Sequence, residues 1–388
     1  MKSPASPRRV AISLEMQWGY KRHLEVYAGC QRYAEEAGWE CSINPAVDAE
    51  LRVSAAKKPP FDGVIARVTQ SLATAAQKAR VPVVNTWLNT PVKNLPSIFP
   101  DYEAVGVMAA EHLLGRGFRQ FGYLGYKRDI DSRLELRGFN KTIEAAGFQC
   151  SPHHFSRTAL IKRDGWPEFY AGLEKWVEAW KPPIGVFVTQ DLYGRYLHDV
   201  CRKAGLHVSQ DVAIVGRENE PTICGAPTPT LTSIDLGYEQ IGYRAAEMLD
   251  RLMNGEAPPA SPELVAPLEL IPRQSTDSFA ATDHIVARAL RFIAENCHHR
   301  IEVKHVAEAV ATTRRTLERR FRLSVERSIA EEITRFRLER AKRRMVETDE
   351  PLKTVARDSG FLDSNHFYKT FVRVEGTTPT QYRDERQR

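Results

Sequence analysis

Short apolar runs bounded by Pro, Gly or Asp recur along the first two thirds of the chain, at 10–14, 64–68, 81–86, 121–124, 185–189 and 212–216. Their richness in Val, Ile and aromatic residues predicts strands. Between them lie stretches whose apolar positions repeat at helical spacing, at about 20–37, 102–115, 134–146, 166–180, 192–204 and 238–254. Strand and helix in regular alternation predict right-handed βαβ units and parallel sheets covered on both faces. The stretch is too long for one small sheet. The expectation is an α/β domain, residues 1–273, of two doubly wound lobes with a cleft between them.

The pattern changes after a Pro-rich and small-polar segment at 255–278, whose end opens a linker expected at 274–282. From 283 to 388 no strand pattern remains, and 283–297, 303–309, 313–323, 328–347, 352–358 and 364–374 all read as helices. No repeat at solenoid spacing is present. Charge follows the same division. Of the formal net charge of +6, none belongs to residues 1–280, where acids and bases balance, while residues 281–388 hold 23 Lys and Arg against 17 Asp and Glu. A neutral domain is thus joined to a basic one suited to a polyanion. The hydrophobic share of 42% excludes global disorder. There is no run of eighteen apolar residues, and the start, MKSPASPRR, has no apolar stretch after its basic residues, so a cytoplasmic protein without a membrane span is expected. The six cysteines lack CxxC spacing, against a disulfide framework or a zinc site.

Within the basic domain one plan occurs twice. In 303–323 a short helix with Val303, Val306, Ala307 and Val310 on its apolar face runs into a tight turn, and Thr313 is placed to cap the next helix. There Leu317 and Phe321 face inward, leaving Arg314, Arg315, Glu318, Arg319 and Arg322 outward. In 352–374, Leu352, Val355 and Ala356 precede a turn at Gly360, Phe367 and Phe371 are the inward pair, and Ser364, Asn365, Tyr368 and Lys369 lie at the outward end. Helices with such faces fit the major groove, and two units joined by one long helix at 328–347 would read adjacent groove segments of double-stranded operator DNA. The stretch GFLDSNHFYKTFVRVEGTTPTQYR (360–383) resembles the signature of the AraC/XylS family of transcription regulators. The resemblance implies an all-α domain with two helix-turn-helix units.

In doubly wound sheets ligands bind beyond the carboxyl ends of the strands. The polar and aromatic residues at that address, Trp18, Tyr20, Arg67, Asn85, Arg133, Arg137, Asp191, Glu218 and Asn219, have sugar-binding chemistry: paired bonds to vicinal hydroxyls and a ring over the apolar face. The segments FDGVIARV (61–68), VPVVN (81–85), 101–125, 133–147, VAIVGREN (212–219) and LTSIDLG (231–237) resemble the LacI-type, periplasmic-binding-protein-like effector domain. With the AraC-type domain after it, the chain is similar to the xylose-operon activators of the XylR type. That resemblance implies a homodimeric regulator controlled by a small sugar, with Asp191 and the acid at 218 in the sugar site, acting with RNA polymerase. Glu135 departs from it, standing where many relatives carry a sugar-clamping arginine.

Two other readings stay open: a first domain that is only a dimerisation scaffold, and a carbohydrate-active α/β enzyme. The chain has no GxSxG elbow, phosphate-binding GxxxxGK[ST] loop, HExxH or strand-GxGxxG-helix, so no enzyme, catalytic residue or cofactor is expected. His153-His154 and His298-His299 are adjacent pairs whose members point apart, against a metal site.

Overall fold

A computed structural model describes residues 7–16, 21–53, 59–156, 160, 162, 164–277, 283–325, 327–348 and 350–386. The first lobe holds a parallel sheet of order β2-β1-β3-β4, built from β1 (Arg9–Ser13), β2 (Glu40–Ile43), β3 (Gly63–Ala66) and β4 (Val83–Asn85). Helices α1 (Lys21–Ala37), α2 (Val47–Val53) and α3 (Gln70–Ala79) cover it. The second lobe has six strands in the order β12-β10-β9-β8-β6-β7: β6 (Phe121–Tyr126), β7 (Cys150–Phe155), β8 (Ile184–Val188), β9 (Val212–Arg217), β10 (Thr232–Asp235) and β12 (Glu269–Ile271). Its helices are α4 (Tyr102–Gly115), α5 (Ile130–Ala145), α6 (Gly165–Glu178), α7 (Asp191–Lys203) and α8 (Pro221–Cys224). All its pairings are parallel except β10 with the edge strand β12, a mixed edge that the alternation did not predict.

The chain crosses between lobes three times. Two crossings, β5 (Ile98–Pro100) and β11 (Glu263–Val265), run side by side as a parallel pair. The third leads from β10 through Gly237, at φ 66°, into α9 (Tyr238–Met253), which packs on β3, β4 and α1 of the first lobe. In each lobe two helices cross with backbones touching. A Cβ on Gly29 of α1 would stand 1.9 Å from the Glu239 carbonyl oxygen of α9, and one on Gly138 of α5 would stand 2.0 Å from that of Glu103 in α4. Glycine at these crossings makes each helix pair one body.

The described remainder is all helix: α10 (His284–Asn296), α11 (Val303–Ala309), α12 (Arg314–Val325), α13 (Ile329–Glu347), α14 (Leu352–Asp358), α15 (Ser364–Glu375) and α16 (Pro379–Arg386). It has two cores of its own. One gathers Val286, Leu290, Val306, Leu317, Phe321 and Ile333; the other gathers Leu338, Met345, Val355, Phe361, Phe367 and Phe371. Ile333 and Leu338 both belong to α13, so that helix is the spine shared by the two units.

The described part of the expected linker at 274–282 is residues 274–277. Gln274–Thr276 is a 3-10 turn packed on the second lobe, where Ser275 Oγ donates to the Ile214 carbonyl at 2.6 Å and the Thr232 and Thr276 hydroxyls meet at 2.8 Å. Residues 278–282 lie outside the described ones.

Candidate ligand cleft and nucleic-acid interface

The facing edges of the two lobes are held together by polar contacts. From α1, Lys21 Nζ meets Asp235 at 3.2 Å, its N–H donates to Glu220 at 3.1 Å, and Arg22 lies 3.6 Å from Glu218. From the loop after β4, Asn89 donates to Asp131 at 3.2 Å and accepts from the Ile130 N–H at 2.7 Å. Arg67 pairs with Glu15 and lies 4.6 Å over the Trp87 ring. His23 is buried beside them, and burial, with Arg22 and Arg67, pushes its pKa down to about 3, so it is a neutral ring at physiological pH.

Arg217, fully buried at the end of β9, is the hub of the second lobe's edge. Its Nη2 donates to Asp131 at 2.8 Å, its Nε lies 2.6 Å from Glu135, and its guanidinium sits 4.9 Å from the Tyr102 ring. Burial opposes its charge, but Glu135 and Asp131 hold the guanidinium protonated. Burial likewise opposes the Asp131 carboxylate, yet Arg217 and the Asn89 bond keep its pKa below the usual range. For Glu135 burial prevails over Arg217 and, with Asp131 beside it, pushes the pKa up to about 8. Glu135 also accepts from Tyr123 at 3.0 Å and Thr189 at 2.9 Å.

Of the sequence-derived residues, Arg67, Asp191, Glu218 and Asn219 come together here. Glu218 accepts from Gln190 at 3.2 Å, and Asn219 bridges Asp235 and Arg273 at 3.0 and 2.6 Å. Asn85 does not join them. It is fully buried, and its amide is spent on its own loop, accepting from the N–H groups of Val68 and Trp87 and donating to the Trp87 carbonyl and Ser97. Arg133 and Arg137 are exposed on α5, and Arg137 pairs with Glu103 of α4, bracing the helix pair. Trp18 and Tyr20 lie outside the described residues. Lys21, Arg22, His23, Asn89, Asp131 and Arg217 escaped the sequence reading. One signal was legible: an arginine closing the otherwise apolar run VAIVGR.

Asp191 is a strut more than a free acceptor. At 2% exposure it accepts from Ser233 Oγ at 2.6 Å and from the Glu220 N–H at 2.9 Å, fixing the 218–220 turn. Burial outweighs these bonds and pushes its pKa up to about 7, from 3.8. Its contribution to stability is therefore complete below about pH 4 and fades as pH rises to about 7. Asp191→Asn removes this titration. The variant should gain on the wild type through that window by at most about 1.4 kcal/mol per pH unit. Melting curves at several pH values check this; parallel curves for the two proteins would refute it.

In the helical domain the outward residues are where the spacing put them. Leu317 and Phe321 are fully buried, and Arg314, Arg315, Glu318, Arg319 and Arg322 are exposed. Arg314 is bonded to Glu318 at 2.8 Å along the exposed face of its own helix. Phe367 and Phe371 are buried beneath exposed Ser364, Asn365, Tyr368 and Lys369. Thr313 and Asp363 cap the two helices, accepting from the N–H groups of Thr316 and His366 at 3.2 and 2.7 Å. Among the described residues no group of His, Cys, Asp and Glu could hold a metal, and no helix is long and apolar enough to cross a membrane.

Comparison with known proteins matches each half. A periplasmic binding protein-like domain matches residues 110–276, and a helix-turn-helix domain matches residues 306–385. The chain is 26% identical over 384 residues to the xylose operon regulatory protein of Escherichia coli K12, covering 97% of both. It is 27% identical over 290 residues to that of Haemophilus influenzae, covering 75% of both. The solved structure of a xylose-binding transcription activator, at 24% identity, superposes with a TM-score of 0.60 over 99% of this chain and all of that one. A cellobiose complex of another regulator gives 0.55 over 70% of this chain and 86% of the other, at 21% identity. These likenesses show the fold.

Proposed function

Since the chain is a transcription regulator of the AraC/XylS type, with a periplasmic-binding-protein-like domain ahead of its helix-turn-helix units, we propose that a small neutral sugar, xylose or a related pentose, binds between its lobes and controls operator binding. The observation that carries this reading is the pairing of charges across the cleft. Arg22 with Glu218 and Lys21 with Asp235 join opposite lobes, and each charge already has its counter-ion. A ligand entering there brings no need of net charge, only hydroxyls that donate to the carboxylates and accept from the cations, with Trp87 beside Arg67 to cover an apolar sugar face.

The residues we assign to the ligand are Arg22, Arg67, Asn89, Asp131 and Glu218, with Asp191 and Asn219 holding the turn. Arg315, Arg319 and Arg322, with Asn365, Tyr368 and Lys369, face DNA. We place the sensor domain at 1–277, the linker at 278–282 and the DNA-binding domain from 283 onward. The regulator acts in the cytoplasm as a homodimer and activates transcription with RNA polymerase. A sugar shifts DNA binding only as far as it prefers one lobe arrangement over another. Reciprocity supplies the test. If D-xylose tightens operator binding by some factor, operator DNA must tighten D-xylose binding by the same factor. Calorimetric titration of a pentose panel, with and without operator DNA, measures both. Heat with one pentose and unequal affinities support the reading. Silence with every pentose favours a dimerisation scaffold, and turnover an enzyme.

A further inference from the structure

The last carbonyls of a helix lack intrahelical partners, and that end of the helix favours a cation. At the end of α4 the cation comes from the other domain. Arg335 of α13 donates from Nη2 to the Gly115 carbonyl at 2.6 Å. A second contact runs the other way, from Arg119 to the Ser324 carbonyl at 3.5 Å.

The guanidinium of Arg335 is held for this task. Glu332, 1% exposed, accepts from its Nε at 3.1 Å and its Nη2 at 2.5 Å, and Arg327 holds the other Glu332 oxygen at 3.2 Å. The fit at α4 is tight: a Cβ on Gly115 would stand 3.0 Å from Arg335 Nη1. One turn earlier, His112 accepts from Arg116 at 3.0 Å and lies 2.9 Å from the Thr276 hydroxyl, so the segment leading into the linker is tied to the same helix end. The other end of the connection reaches the cleft. Helix α4 crosses α5 backbone to backbone at Gly106 and Gly138, and α5 carries the Asp131 and Glu135 that hold Arg217.

We propose that Arg335 is a positioning residue: by capping α4 from the DNA-binding domain, it seats the helix-turn-helix units on the second lobe, so that movement of that lobe carries them. The docking stands on the contacts alone. Its coupling to sugar rests on the function proposed above, and the test separates the two. Limited chymotrypsin digestion of the full chain, followed as release of the C-terminal helical domain, reports undocking. Arg335→Ala should be cut several-fold faster than wild type at a temperature well below the melting of either protein, and Arg335→Lys, which keeps a cation beside Glu332 but loses the fork, should be cut faster as well. Gly115→Ala should show a smaller rise. The double variant should be cut no faster than Arg335→Ala, because both changes act on one contact. Equal rates for wild type and Arg335→Ala, or independent effects that multiply in the double variant, would overturn the docking.

D-xylose then tests the coupling. A change of cleavage rate on adding D-xylose that is present in wild type and lost in Arg335→Ala supports it, whereas the same change in both proteins overturns it. Rates that differ between the proteins and ignore D-xylose keep the docking and count against the sugar reading.

Discussion

Arg217→Leu is expected to destabilise the sensor domain by about 3–5 kcal/mol, the usual cost of breaking a buried ion pair on one side. Asp131 is 6% exposed and Glu135 fully buried, and the substitution leaves both facing a hydrocarbon. For a domain of this size that corresponds to a drop of roughly 6–20 °C in melting temperature. Ligand affinity should fall as well, because Asp131 is also the anchor of Asn89 from the first lobe. The triple variant Arg217→Leu, Asp131→Asn, Glu135→Gln removes the Asp131 charge and the titrating Glu135 carboxyl, and should recover most of the stability without recovering ligand binding. Calorimetric melting and pentose titration of the two variants check both halves. A single variant as stable as wild type would mean that the hub does not hold the lobe.

The largest effect on DNA binding should come from salt. Two recognition faces that together engage about 6–10 phosphates lose roughly 10³–10⁵ in affinity between 50 and 200 mM salt, because condensed counterions are released on binding. A fragment from 283 onward has two cores of its own and is expected to keep this dependence after cleavage at the linker. Within it, Arg315→Ala or Arg319→Ala should relax base preference at one half of the site by roughly 1–3 kcal/mol per lost bidentate contact, and Asn365→Ala or Lys369→Ala about one helical turn away. Footprinting with base-substituted duplexes measures the division. Both sets mapping to the same base pairs would contradict two separate reading helices.

The inward and outward faces of α12 and α15 were legible because an inward pair four residues apart fixes a helix's orientation, and Leu317–Phe321 and Phe367–Phe371 are buried as that geometry requires. Strand ends were legible too, but the direction of a side chain at a strand end was not. Asn85 stands at the right place and turns back into its own loop, whereas Lys21 and Arg22, in the first turn of α1, reach across. Glu135 and Arg217 each broke a pattern, and only the fold brings them within 2.6 Å. The strands that escaped notice hide their burial in polar letters. In β10, Thr232 and Ser233 are fully buried and spend their hydroxyls on Thr276 and Asp191, and β7 is an edge carrying Pro152 and two histidines. Arg320, half-buried on α12, meets Asp283 at 3.1 Å, which ties α12 to the start of α10.

The two crossings β5 and β11 are hydrogen-bonded in register, Ile98 with Glu263, Phe99 with Leu264 and Pro100 with Val265. Two free connectors would let one lobe slide, twist and tilt against the other. Joined as a ladder, they act like a door hung on adjoining pins: the lobes can swing about one line, and neither pin can travel without its neighbour. A regulator hung in this way converts any occupant of its cleft into the same stroke. Different sugars would then alter how often the door stands closed, not the path along which it closes.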